Sequence, residues 1–106
     1  VSVKPIVLRT LAHADVDRAI DYYLHTANSA AAMGFVDVLE AGYAHIARDP
    51  ATGSPRYAHE LNLPGLRTWP LSKYPYLVFY VNLDEHIDVW RVLHMATDIP
   101  SWMTQD

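Results

Sequence analysis

Two long helical patterns stand almost back to back in this chain, and the shortness of their connection is the strongest constraint on its fold. From Leu11 onward, Val16, Ile20, Tyr23 and Leu24 recur at spacings of three and four, while Asp15, Asp17, Arg18 and Asp21 take most positions between them. This is the period of an amphipathic helix, expected over about residues 12–26. Asn28 and Ser29, good N-cap residues, then open a run of alanines in which Phe35, Val38, Leu39, Gly42, Tyr43 and Ile46 repeat with the same period. They predict a second helix over about residues 30–48. With only two or three residues between them, the helices are expected to lie antiparallel as a hairpin, Gly34 and Gly42 letting them approach closely. The apolar stripe of such a hairpin has to be buried against something else.

The rest of the chain supplies a sheet. Asp49-Pro50 stops the second helix, and the stretch to Pro64-Gly65, with Gly53, Pro55 and Asn62, reads as a loop. Residues 66–71, 76–83 and 87–93 are rich in aromatic and β-branched side chains and are separated by Lys73-Tyr74-Pro75 and Asp84-Glu85. They predict three successive antiparallel strands, a β-meander. A short strand over residues 6–9, next to Pro5, suits a sheet edge. A short C-terminal tail, residues 98–103, carries Trp102 and Met103 toward an apolar patch. The expected fold is α+β in one domain spanning 1–106, with the hairpin on one sheet face and the other face left for water or a partner.

Composition narrows the chemistry. With 106 residues, 51% of them hydrophobic and 19% charged, the chain can bury one core but with little stability to spare. It has no cysteine, which removes disulfides, thiolate metal sites and a cysteine nucleophile and fits a cytoplasmic setting. No export signal or membrane span is read from its residues. His13, His25, His45, His59 and His86 show no metal-ligand spacing, so neither metal nor other cofactor is expected. The eight basic residues are scattered and the formal charge is −4, so tight sequence-independent nucleic-acid binding by the chain alone is not expected.

Particular residues carry a family resemblance. The helix segment Ala14-Asp15-Val16 through Ile20-Asp21-Tyr22-Tyr23 is followed in order by Glu60-Leu61, Gly65-Leu66-Arg67, Tyr76-Leu77-Val78-Phe79-Tyr80 and Arg91-Val92-Leu93-His94. Over about residues 5 to 98 this ordered set resembles the ParE branch of the ParE/RelE toxin superfamily. The resemblance implies the toxin of a type II toxin-antitoxin system, causing growth arrest by inhibiting DNA gyrase and so replication, and silenced in a heterocomplex with a ParD-like antitoxin. RelE relatives on the same fold instead cut messenger RNA in the ribosome, so the fold alone does not decide the activity.

A metal-free ribonuclease needs a base, an acid and cations around the phosphate. Arg67, Lys73, Tyr80, Arg91 and His94 are the residues able to supply them, and the nuclease alternative rests on Arg67, Arg91 and His94 converging on one patch. The acidic balance favours the gyrase-directed reading, in which the chain has no catalytic residue of its own. Arg67, Trp69, Arg91, His94 and Trp102 are then the expected target-binding set. Arg67 shares strand parity with Trp69, and Arg91 shares parity with Ile87, Val89 and Leu93, its guanidinium reaching a carboxylate such as Glu60. The implied antitoxin helix would lie beside the hairpin on Asp17, Asp21, Tyr22, Tyr23, Leu24 and Phe35. A non-toxic binding module is the third reading.

Overall fold

A computed structural model describes residues 3–104. It contains β1 (Ile6–Leu8), α1 (Thr10–Thr26), α2 (Ser29–Arg48), a 3-10 turn (Pro50–Thr52), α3 (Arg56–Glu60), β2 (Leu66–Pro70), β3 (Tyr76–Asn82), β4 (Ile87–His94) and α4 (Ile99–Met103). The hairpin is present as expected. Asn28 caps α2 by accepting the Ala31 N–H at 2.8 Å, which satisfies one of the amides left over at a helix start. Gly34 and Gly42 serve a different contact from the one expected. A Cβ on Gly34 would meet the Tyr74 hydroxyl at 2.5 Å, and one on Gly42 would meet Leu71 at 2.9 Å. Both glycines bring α2 close to the sheet side of the molecule rather than to α1.

The sheet has the order β1-β4-β3-β2. β2, β3 and β4 form the antiparallel meander, and β1 adds to the far side of β4 in parallel. That mixed topology depends on which edge the N-terminal strand joins, and no local pattern encodes it. β4 carries a bulge: Phe79 pairs with Arg91 while the next residue, Tyr80, pairs with Val89, leaving Trp90 over. One extra residue reverses the alternation of every side chain beyond it. Ile87, Val89 and Val92 accordingly face the hairpin, in a core with Phe35, Leu39, Ile46, Val78 and Tyr80. Leu93 faces the other side of the sheet, so the parity expected for Ile87, Val89, Arg91 and Leu93 as one set does not hold.

The second sheet face is not left open. Leu66, Phe79, Leu93, Ile99 and Met103 form a second buried cluster, with Tyr57, Leu61 and Trp102 packed against it. α3, inside the stretch expected to be a plain loop, and α4 together cover this face. Five-residue helices have little intrinsic stability. What holds them is the apolar surface they cover, visible only once the strands are assembled.

Tyr80 ties the stretch after α2 to the sheet. Its buried hydroxyl donates to the Pro50 carbonyl at 2.8 Å and accepts the Gly53 N–H at 2.9 Å. Ser54 then bridges to Thr68, closing part of the outer edge of β2. Removing the hydroxyl leaves two backbone groups short of a partner, each costing on the order of 1–3 kcal/mol where water cannot replace it. Tyr80→Phe is therefore expected to lower the urea midpoint by the equivalent of about 2 kcal/mol, with the slope of the transition unchanged.

Candidate functional site

At the end of β4 the two faces of the molecule meet around a notch. Its volume is about 290 Å3, and it is lined by Asp15, Arg18, Ala19 and Tyr22 of α1, by Tyr76 and Val92–His94 of the sheet, and by Thr97 and Trp102 of the C-terminal segment. The notch is built on a buried ion pair. Arg91 donates from Nε and Nη2 to the two carboxylate oxygens of Asp15, both at 2.7 Å, and the two residues are each only 3% exposed. A planar, two-pronged pair of this kind fixes direction as well as distance.

Asp15 does more than neutralise Arg91. β1 pairs with β4 only from Ile87 to Val89, so the outer edge of β4 runs on without a strand beside it. The Val92 N–H on that edge donates to the Asp15 carboxylate at 3.0 Å. One side chain thus stands in for the missing strand. Arg91 also donates from Nη1 to the Trp102 carbonyl at 2.8 Å, tying α4 to the same point. α1 approaches this closely because its buried face there is Ala12, Asp15 and Ala19, two small residues flanking the carboxylate. The expected partner of Arg91, Glu60, is instead in contact with Arg56 at 3.2 Å.

The rim is aromatic and cationic. Arg18 touches Asp15 at 3.4 Å while its side chain stays 62% exposed, and its guanidinium lies 5.5 Å from the Trp102 ring. The Arg91 guanidinium lies 5.4 Å from the same ring, so Trp102 stands near two cations. Tyr76 meets the His94 ring edge-on at 5.1 Å, and His94 Nδ1 accepts the Ala96 N–H at 3.0 Å. In the neutral ring that bond leaves the proton on Nε2.

The phenols at and behind this site hold their protons tightly. Burial, then the neighbouring Tyr23 and Tyr22, push Tyr76 up to about 12. Burial likewise raises Tyr43, with the Asp15 charge adding to it, and raises Tyr23 and Tyr80. None is suited to proton transfer near neutral pH. Because the folded values lie above the unfolded value of about 10, the stability these groups contribute is complete below that pH and lost as pH rises toward 12. Phenolate absorbance followed against pH is expected to show Tyr76 and Tyr43 ionising well above the ordinary tyrosine range, with Tyr23 and Tyr80 displaced in the same direction.

The residues expected to bind a target fall in two places. His94, Arg91 and Trp102 come together at the notch, Arg91 as its buried strut. Arg67 and Trp69 lie on β2, separated from β4 by β3, and face the hairpin side. Arg67 donates to the Gly53 carbonyl at 2.7 Å and to the Ala51 carbonyl at 3.2 Å, and Trp69 stacks on His45 with ring centres 4.4 Å apart. Register puts Arg67 opposite Tyr80 and His94 opposite Tyr76. Two strand spacings across and several residues along, Arg67 and His94 are on the order of 20 Å apart, and Arg67, Arg91 and His94 form no single patch.

Of the residues expected to meet an antitoxin, Asp17 and Asp21 are exposed on α1, as are Tyr22 and Leu24. Tyr23 is half-buried against the hairpin core, and Phe35 is fully buried. Phe35 belongs to an aromatic cluster with Tyr23, Tyr74 and Tyr76 and has no surface to offer a partner. Sequence periodicity missed Asp15, which reads as one more polar residue on an amphipathic helix. Among the described residues, no group of three or more histidines and carboxylates is placed to hold a metal ion.

A strand, a helix hairpin and a three-stranded meander joined into one mixed sheet define the molecule as a small α+β domain. The fold matches a chain of the "Chromosomal ParDE TA system from P. aeruginosa" with a TM-score of 0.72 and 19% identity, covering 87% of this chain and 96% of that one. Residues 6–99 match the family described as ParE toxin of type II toxin-antitoxin system, parDE. The chain belongs to the ParE toxin family. No protein of curated function matches it significantly.

Proposed function

We propose that this ParE-family toxin arrests growth by inhibiting DNA gyrase and that a ParD-like antitoxin keeps it silent. Family membership over residues 6–99 supports the toxin role. The observation that favours gyrase over RNA cleavage is the separation of Arg67 from His94, with Arg91 committed to Asp15. A phosphate-cutting site needs its cations and its acid and base within reach of one scissile bond. An inhibitor needs no such site. A protein that binds the DNA-cleaved state of gyrase more tightly than the resting state shifts the population toward breakage without breaking a bond itself.

The surface assigned to the target is the notch rim, His94 and Trp102, with Arg91 positioning the latter through its carbonyl. At the β2 edge of the sheet Arg67 holds the stretch after α2, and Trp69 stacks on His45 of α2. The antitoxin helix is assigned to the exposed side of α1, where Tyr22 and Leu24 are 55% and 46% exposed. Asp17 and Asp21 are one turn apart on the same helix, a repulsion that a basic residue of the antitoxin relieves. Gyrase as target places this work in the cytoplasm, and among the described residues no helix is long and apolar enough to cross a membrane.

The test is to induce the chain in cells without antitoxin and score growth, DNA-damage signalling and messenger RNA integrity together. Arrest with damage signalling, intact RNA and cleaved DNA accumulating on purified gyrase is the expected result. Codon-positioned RNA cuts would replace this reading with the nuclease, and unchanged growth with folded protein would leave a binding module.

A further inference from the structure

We infer that the notch at the end of β4 is a docking slot for an acidic, extended segment of the antitoxin, which pairs with the open backbone edge at Val92 and His94. The inference rests on the toxin-antitoxin reading and adds where, and by what chemistry, part of the partner is held.

The backbone directions along β4 follow from the observed bonds. The Met95 N–H donates to the Pro75 carbonyl on the β3 side, and the Tyr76 carbonyl turns away from β4 to accept the Leu71 N–H. Tyr76 and His94 are therefore a pair that exchanges no hydrogen bonds, and the N–H of His94 points outward, as does that of Val92. Asp15 accepts the Val92 N–H. The Val92 carbonyl and the His94 N–H turn to this same edge, away from β3, and among the described residues neither bonds to a turn or loop. One acceptor and one donor at this spacing are what a neighbouring strand engages.

The surroundings have the form of a strand's berth. α1 walls the notch on one side with Arg18 and Tyr22, the C-terminal segment walls it on the other with Trp102, and the sheet edge forms its floor. An exposed edge ordinarily carries charges or a covering element that block pairing. Here β1 and the Asp15 carboxylate cover β4 as far as Val92 and then stop.

Charge selects the occupant. The chain as a whole carries −4, while the notch lining holds one carboxylate, Asp15, and one guanidinium, Arg18, with the Arg91 guanidinium buried behind Asp15. Asp15 is matched by Arg91 through two 2.7 Å bonds, which leaves the largely exposed Arg18 as a surplus cation beside His94. Asp17 and Asp21 flank Arg18 on α1 but lie outside the lining. An Asp or Glu of the incoming segment meets Arg18, while an apolar neighbour two residues along lies against Tyr22 or Trp102, following the period of a strand. Occupation covers His94 and Trp102, so an antitoxin bound here also shields the surface assigned to the target.

The experiment uses the full toxin with a ParD-like antitoxin that relieves its growth arrest in cells. Hydrogen exchange at the His94 amide is measured in the free toxin and in the complex, and binding is measured for wild type, Arg18→Lys and Arg18→Glu. Pairing predicts that exchange at His94 slows at least about tenfold on binding, because its N–H gains a partner. Reversing an exposed charge replaces attraction with repulsion, so Arg18→Glu is expected to weaken binding roughly tenfold while Arg18→Lys keeps most of it. Thermal melts of the free variants check that both remain folded. A complex that forms with wild-type affinity for Arg18→Glu and unchanged exchange at His94 overturns the slot and leaves the toxin-antitoxin reading standing. No complex with the antitoxin overturns both.

Discussion

Asp15→Ala is expected to lower the unfolding free energy by about 3–5 kcal/mol, the cost of removing one member of a buried ion pair while the other stays behind. Arg91 would be left as an unpaired cation in a site where it is 3% exposed, and the Val92 N–H would lose its acceptor as well. For a domain of this length the loss corresponds to a melting point lower by roughly 15 °C or more, out of a total stability on the order of 5–15 kcal/mol. Calorimetry or denaturant titration reads it directly. The double variant Asp15→Leu, Arg91→Met separates the two contributions. Replacing both charges removes the stranded cation and is expected to recover most of the loss, yet to remain about 1–3 kcal/mol short because the Val92 N–H is still without a partner and the Trp102 carbonyl has lost its donor. Full recovery would show that the amide contact to Asp15 contributes nothing, and with it the view of Asp15 as a substitute strand would fall.

Phe35→Ala has an expected cost of similar size, about 3–5 kcal/mol, through a different cause. Phe35 lies fully buried on the face of α2 that meets α1 and the sheet. Its ring centre is 5.1 Å from that of Tyr76 and 5.7 Å from those of Tyr23 and Tyr74. Truncation removes the ring from the meeting point of hairpin and meander, and the tyrosines around it cannot close the cavity, because the Tyr74 hydroxyl is held by the Ala31 carbonyl at 2.9 Å. Guanidinium denaturation of Phe35→Ala beside Leu24→Ala makes the contrast clear. Leu24 is 46% exposed, and its loss is expected to change stability by about 0.5 kcal/mol or less. If Phe35→Ala were equally mild, Phe35 would have to be reconsidered as surface available to a partner.

The same two residues mark how far the sequence could be read. Phe35 sits where the helical period puts it, among residues three and four apart on α2, and burial of that stripe is a local consequence of its spacing. Asp15 obeys no such rule. On α1 it reads as one of several acids on a polar face, and only the docking of Ala12 and Ala19 against β4 turns that position inward. Of the residues that line the notch, the sequence singled out His94 and Trp102, but Arg18 was not distinguished from any other charge on α1. Arg67 and Trp69 share a face as alternation requires, yet that face meets the hairpin and the stretch after α2, which no strand pattern reveals.

Local order along the chain was the sequence's own doing. Hairpin, three-stranded meander and the Asn28 cap all follow from interactions among residues close in sequence, where the periods of 3.6 and 2 act directly. The arrangement of those pieces required the assembled molecule. β1 joins β4 in parallel across some eighty residues of chain, the bulge at Trp90 reverses the faces of the residues after it, and α3 and α4 exist as helices because they cover apolar surface that the strands create together. Each depends on contacts between distant segments, whose free energy is realised only when both partners are already in place. The Asp15–Arg91 pair, 76 residues apart in sequence, belongs to that second kind, and so does the notch built upon it.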